Sequence, residues 1–255
     1  MGKLDKRVAI VTGGGTGIGR GIALEFARDG ADVVVCSRNM ANLEEVAEEI
    51  RALGRRSLAI ATDVSVKEQV QHMVKQTVDK FGRIDILVNN AGIGPYALIE
   101  DMSEEEWDKE IDTNLKGAFL CIQAVAKYMI EQKYGKIINI SSLAGIRPPR
   151  PRMACYCASK AGVDLLTKSA TLELTPHGIN VNCVAPGSIE TPIYRKGKTP
   201  EQIEEWLAAA KRAPIGRVGT PQDIANVALF LASGDSSFIC GETIVVDGGR
   251  NARMS

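Results

Sequence analysis

The chain has 255 residues, and its 31 acidic and 31 basic side chains cancel. Without a net field, nothing in the charge points to nucleic acid or a membrane surface. No apolar run approaches the roughly 20 residues of a membrane span, and the apolar stretch in MGKLDKRVAIVTGGG is too short for a signal peptide.

Short apolar runs alternate with amphipathic stretches along the chain. Residues 7–12, 32–37, 57–62, 84–89, 136–141, 179–185 and 243–246 read as strands, most of them apolar on both faces. Residues 17–29, 40–53, 66–81, 103–132, 158–175 and 221–232 read as helices. Gly30, Gly54, Gly82, Gly135 and Gly178 each follow a helical pattern, where a left-handed cap needs no Cβ. Pro221 suits a first helical turn after Thr220. Strand-helix repetition predicts a doubly wound α/β Rossmann fold with seven parallel strands and helices on both faces. One catalytic domain, 1–255, is the simplest reading. A long excursion at about 186–220, with a helix near 201–211, is expected to serve as a substrate loop.

Six cysteines are present, none in a C-x-x-C pair, with only His72 and His177 beside them. A metal site is not expected, and the thiols read as reduced, consistent with a cytoplasmic protein.

The first strand ends in TGGGTGIG at 12–19, and a helix follows. Gly13, Gly17 and Gly19 permit a tight turn, close approach of a pyrophosphate and close helix–sheet packing. The second strand ends Cys36-Ser37-Arg38-Asn39 and lacks the carboxylate that would bind an adenosine ribose. Arg38 is a donor fork suited to a 2′-phosphate, with Ser37 beside it, so NADP(H) is expected and NAD(H) is the alternative.

Tyr156 and Lys160 stand four apart at the start of a helical pattern, which puts both on one helix face. A free tyrosine is a poor base at neutral pH, and a nearby ammonium favours its phenolate. Such a pair can give a proton to a carbonyl or take one from an alcohol.

Together these residues resemble the short-chain dehydrogenase/reductase family over nearly the whole chain. The matching motifs are TGGGTGIG at 12–19, Asp63-Val64, NNAG at 89–92, Asn114, the serine of ISSLAG, YCASK at 156–160, and APG at 185–187 followed by Thr191. The resemblance implies an oxidoreductase that moves hydride between NADP(H) and a ketone or secondary alcohol. It implies Tyr156 as acid/base, Ser142 as the donor to the substrate oxygen, Lys160 on Tyr156 and the ribose, and Asn114 in the proton relay. Ser141 precedes Ser142, and alignment with the following Leu-Ala-Gly selects Ser142. Cofactor contacts are implied at Gly13, Thr16, Gly17, Ile18, Gly19, Ser37, Arg38, Asp63, Val64, Asn90, Ala91, Gly92, Pro186, Gly187, Ile189 and Thr191, besides Tyr156 and Lys160. The segment from Ser142 to Tyr156 is one residue longer than the commonest family spacing. Similar proteins are commonly homotetramers, so one is expected here.

Arg147, Arg150 and Arg152, and then Arg195, Lys196 and Lys198, form acid-free basic stretches that the family fold places near the substrate mouth. An anionic or carrier-linked substrate, such as a 3-oxoacyl thioester, is expected from them, against the simpler reading of solvated loops. Similarity is strongest to 3-oxoacyl-acyl-carrier-protein reductases and to sugar, polyol and steroid dehydrogenases. Lys133 and His177 stand where carrier-protein reductases tend to be basic, which leaves one firm charge. The alternatives are an NAD(H)-dependent sugar, polyol or steroid dehydrogenase, a non-catalytic nucleotide-binding protein, or an isomerase on this fold. Cys155 and Cys157 bracket Tyr156 and read as packing groups that a nearby ammonium can activate.

Overall fold

In a computed structural model, which describes residues 2–94, 97–147, 151–192 and 199–252, seven apolar runs form one sheet. The strands are β1 (Val8–Thr12), β2 (Asp32–Ser37), β3 (Ser57–Ala61), β4 (Ile86–Asn89), β5 (Gly135–Ile140), β6 (Ile179–Pro186) and β7 (Thr243–Val246). Their order is β3-β2-β1-β4-β5-β6-β7, and every pairing is parallel. Successive side chains of a strand point to opposite faces, so each run feeds two cores. Ala9, Val11, Val33, Val35, Ile86 and Val88 face one side. Ile10, Val34, Cys36, Ile60 and Leu87 face the other.

Helices α1 (Gly17–Arg28) and α2 (Met40–Ala52) cover the first face, with α8 (Pro221–Ala232). Helices α3 (Lys67–Phe81), α5 (Gly117–Gln132) and α6 (Ala154–Leu174) cover the second. Two more, α4 (Glu104–Ile111) and α7 (Pro200–Ala210), lie outside these layers in the chain's excursions. The expected doubly wound sheet is therefore what forms.

The two ends of the sheet differ in chemistry. At the amino end, Asp85 is fully buried, and its carboxylate accepts from the Val8 N–H, Arg7 and Arg83. Asp32 likewise accepts from the Arg56 guanidinium at 2.6 and 2.8 Å and from the Arg56 N–H. Buried carboxylates satisfied this fully hold backbone in place and leave no acceptor for a ligand.

Three boundaries differ from the sequence reading. The expected helix at 103–132 breaks at a π-helical turn, Asp112–Lys116, into α4 and α5. The helix expected from 158 begins at Ala154, so Tyr156 lies inside its first turn. Gly135 is not a cap. Lys133 takes the left-handed conformation (φ 52°), and Gly135 enters β5, where a Cβ would press on the Met129 sulfur.

Candidate active site

Strand order reverses between β1 and β4, and the loops leaving their carboxyl ends diverge. Open α/β sheets bind ligands in such a crevice. Here an open cleft of about 1100 Å³ lies over the two strand ends. Gly13, Thr16, Gly17, Ile18, Asn90, Ala91, Gly92, Ser142, Tyr156, Lys160, Pro186, Gly187, Ile189 and Thr191, all expected from the sequence, line it.

Glycine is required at the floor for two reasons. Gly13 (φ 64°) and Gly17 (φ 54°) both take the left-handed conformation that a Cβ disfavours. Gly19 lies beneath, where a Cβ would strike the Gly13 carbonyl and the Asn90 amide. That amide donates to the Thr12 carbonyl at 2.9 Å and the Gly13 carbonyl at 3.3 Å. The Thr12 hydroxyl accepts from the Asn90 and Ala91 N–H groups at 2.9 and 3.0 Å. The loops after β1 and β4 are thus tied together by Thr12, a residue the sequence reading did not single out, although it opens the glycine motif.

Helix α1 has no acidic residue in its first turn, and the Thr16 side chain makes no capping bond. Its first N–H groups are left for a ligand and carry the positive end of the helix dipole. Across the cleft, the Thr191 hydroxyl is buried with no hydrogen-bond partner among the described residues. An orphaned hydroxyl facing a glycine-floored, electropositive cradle fits a dinucleotide with a polar amide at its far end.

Helix α6 supplies the other wall. The Lys160 ammonium donates to the Ile140 carbonyl at 2.8 Å and stands 5.8 Å from the Tyr156 ring centroid. Burial pushes the Lys160 pKa down to about 8, against the opposing pull of Cys183, Asp164 and Glu110. Gly94 lies flat against the phenol ring, since a Cβ there would come within 3.2 Å of Tyr156 Cδ2. A Cβ on Gly92 would point between Asn114 Oδ1 and Lys160 Nζ, 3.2 and 3.5 Å away, so glycine keeps that space open.

The two serines separate cleanly. Ser141 is buried, and its hydroxyl lies 3.0 Å from the Asp164 carboxylate and 3.2 Å from the Lys160 carbonyl. Ser142 is half-buried, and its hydroxyl oxygen accepts from the Ala144 N–H at 3.1 Å. Asp164 also accepts from the Cys183 thiol and the Thr243 hydroxyl, so it ties α6 to β6 and β7. Its position, four residues after Lys160, was the available sequence signal.

Some expected residues stand off the cleft. Asn114 is buried behind it, where its amide donates to the Ser159 hydroxyl at 3.1 Å and that hydroxyl donates to the Tyr156 carbonyl at 2.8 Å. Val64 lies under α5, where a Cβ on Gly117 would approach it to 2.7 Å. Ser37, at the end of β2, accepts from the Asn39 N–H. Arg38 and Asp63 line an adjoining depression. Burial alone would raise the Asp63 carboxyl, yet its bonds from Ser65 and the charges of Arg38 and Lys109 hold it below the usual range.

On the rim, Arg147 donates to the Arg250 carbonyl at 3.0 Å, and Arg250 donates to the Ser188 hydroxyl at 2.7 Å. Arg152 is exposed just before α6. Arg150, Arg195, Lys196 and Lys198 lie outside the described residues. Cys155 packs as the sequence reading expected, and its thiol is not activated. It is buried, and burial together with Glu110 pushes its pKa up to about 12, where little thiolate forms.

The chain belongs to the short-chain dehydrogenase/reductase family. Residues 13–251 match the family model described as enoyl-(acyl carrier protein) reductase. It is accordingly a hydride-transferring oxidoreductase. Among curated relatives, it is 44% identical to the (2S)-[(R)-hydroxy(phenyl)methyl]succinyl-CoA dehydrogenase subunit BbsD of Thauera aromatica, over 97% of this chain and 98% of that protein. It is 43% identical to the 3-oxoacyl-[acyl-carrier-protein] reductase FabG of Thermotoga maritima, with the same coverage. Among solved structures, levodione reductase superposes with a TM-score of 0.92 at 34% identity, over 98% of this chain and 99% of that one.

Proposed function

We propose that this protein is an NADP(H)-dependent reductase of 3-oxoacyl thioesters or closely related anionic ketones, with Tyr156 as the proton donor. One observation carries the reading: Ser142, Tyr156 and Lys160 face the same cleft as the glycine turn and the first turn of α1. Bound NADPH would supply the hydride. Gly13, Thr16, Gly17, Ile18 and Gly19 would take the pyrophosphate, with Asn90, Ala91 and Gly92 forming the floor. Pro186, Gly187, Ile189 and Thr191 would hold the nicotinamide end, and Ser37, Arg38, Asp63 and Val64 the adenosine end.

As negative charge grows on a carbonyl oxygen, the Ser142 and Tyr156 hydroxyls donate hydrogen bonds to it. Tyr156 then gives up its proton, and the Lys160 ammonium stabilises the phenolate left behind. Asn114 fixes the helix turn behind them. The exposed guanidinium of Arg38, just after β2, supports NADP(H) over NAD(H), because a 2′-phosphate needs a fork of donors. Arg147 and Arg250 on the rim support an anionic substrate. The activities for which two relatives are named, on a succinyl-CoA and on 3-oxoacyl carrier proteins, support the thioester.

A homotetramer is supported by Phe119 on α5 and Leu165 and Leu172 on α6, large apolar side chains left exposed. Free cysteines support a reducing, cytoplasmic setting. No described helix is long and apolar enough to cross a membrane.

The test is loss of NADPH absorbance with acetoacetyl thioesters and with neutral ketones, at low and high salt. We expect the thioester to be favoured, more so at low salt. We expect Tyr156→Phe to lose roughly 10²–10⁴-fold in kcat while NADPH still raises its Tm. Full turnover by Tyr156→Phe would overturn the reading. Equal kcat/KM for charged and neutral ketones at both salts would overturn the substrate class.

A further inference from the structure

Glu110 is the one buried residue of α4, so this helix docks through a carboxyl group. None of its surface is exposed, and the weak Cys155 thiol is the donor set against its carboxyl. A buried carboxyl with so weak a donor lowers stability, and an apolar side chain would seat the helix better. The position therefore retains an acid at a cost to the fold.

Its surroundings indicate why. From α6, the groups acting on Glu110 are the Cys155 thiol and the Lys160 ammonium. Cys155 immediately precedes Tyr156, and its thiol is directed at the Trp107 carbonyl of α4, 3.6 Å away. On α4 itself, Asp108 acts on the same thiol. In the π-turn, Asp112 is paired with Lys116 at the surface, 3.2 Å apart. Behind Lys160 stand Asp164 and Cys183. Burial raises the Glu110 pKa to about 7, against the pull of Cys155 and Lys160, so its charge changes near neutrality.

We propose that Glu110 is a positioning residue of the hydride-transfer site, a buried counter-charge that acts through Lys160 and holds it as an ammonium in alkaline conditions. Below neutrality the carboxyl keeps its proton, and Lys160 relies on Asp164. Above neutrality Glu110 releases that proton to solvent, and its negative charge opposes the desolvation that would otherwise neutralise Lys160. The ammonium, and with it the control of Tyr156, persists to higher pH. The inference rests on the Tyr156–Lys160 reading above.

The experiment compares pH profiles of kcat and kcat/KM for ketone reduction by the wild type, Glu110→Gln and Glu110→Leu. Glu110→Leu guards against any defect peculiar to burying an amide. In both variants the alkaline limb is expected to move down by roughly one pH unit, and the gap from wild type to close toward pH 6. Superimposable limbs would overturn the proposal, as would a loss of kcat uniform across pH, which marks a purely structural role. Tyr156→Phe, assayed in parallel, separates the two failures. If it is inactive while the Glu110 limbs superimpose, only the role of Glu110 falls. If it turns over normally, the underlying site reading falls as well.

Discussion

The Asn114 side chain pairs with the backbone of Ile93 in both directions, accepting from its N–H at 2.8 Å and donating to its carbonyl at 2.9 Å. An amide side chain thus does for the loop after β4 what a neighbouring strand would do. Asn114 can reach it because the π-turn between α4 and α5 turns residue 114 inward. Its third bond, to Ser159, extends the same tie to the first turns of α6.

Removing this side chain should loosen the cleft and helix α6 together. Asn114→Leu keeps the bulk and deletes all three bonds, leaving both Ile93 backbone groups unpaired. We expect a loss of roughly 2–4 kcal/mol in urea unfolding, with a fall in kcat. A variant as stable as the wild type would show that Ile93 finds other partners.

The glycine floor predicts a different phenotype. In Gly19→Ala the new methyl meets the Gly13 carbonyl and the Asn90 amide, which are bonded to each other, the amide also donating to the Thr12 carbonyl. NADPH binding should weaken at least tenfold, by about 1.4 kcal/mol or more, read as a smaller cofactor-induced rise in Tm. An unchanged shift would place the cofactor elsewhere.

Arg38 should govern cofactor choice. Arg38→Glu puts a carboxylate where the 2′-phosphate is expected and beside Asp63, another acid. The KM for NADPH should rise roughly tenfold or more, the equivalent of losing one charge-assisted bond. NADH should be affected far less. Equal effects on both cofactors would remove Arg38 from phosphate recognition.

Two carboxyls should bend the stability profile in opposite senses. The Arg217 guanidinium, outweighing partial burial, holds the Asp223 carboxyl far below the usual range, and Thr220 donates to it in the capping box of α8. A depressed folded pKa gives stability that is present above the unfolded value near 4 and lost as pH falls below it. Asp223→Ala should cost about 1 kcal/mol at pH 7 and progressively less as pH falls below about 4. Glu110 has its folded pKa raised, so its protonated form is stable below about pH 4.5 and stability is lost as pH rises through about 7. Glu110→Gln should therefore match wild type near pH 4.5 and exceed it by roughly 2 kcal/mol above pH 8. Thermal unfolding across pH reads both signs at once.

The architecture and the list of cleft residues were legible in the linear chain, because both rest on local signals. Apolar runs such as 32–37, covered on two faces, and turn glycines such as Gly13 and Gly17 carry their meaning in their neighbours. Asn114 and the Tyr156–Lys160 pair were found through motifs whose order along the chain survives folding. Other features depended on partners distant in sequence. The helix expected at 103–132 has unbroken periodicity, and its π-turn at Asp112–Lys116 leaves no mark in that pattern. Cys155 read as a packing group, but the raised thiol pKa that burial beside Glu110 gives it was not visible in the linear chain. Ser141 and Ser142 are the same residue type at adjacent positions, and only Asp164, 23 residues away, draws one hydroxyl into the core. Sequence by itself determined where backbone can turn and which faces are apolar, since those follow from single side chains. Tertiary structure decided which acids are charged and which hydroxyls face the cleft, because desolvation and hydrogen bonding depend on what folding brings alongside.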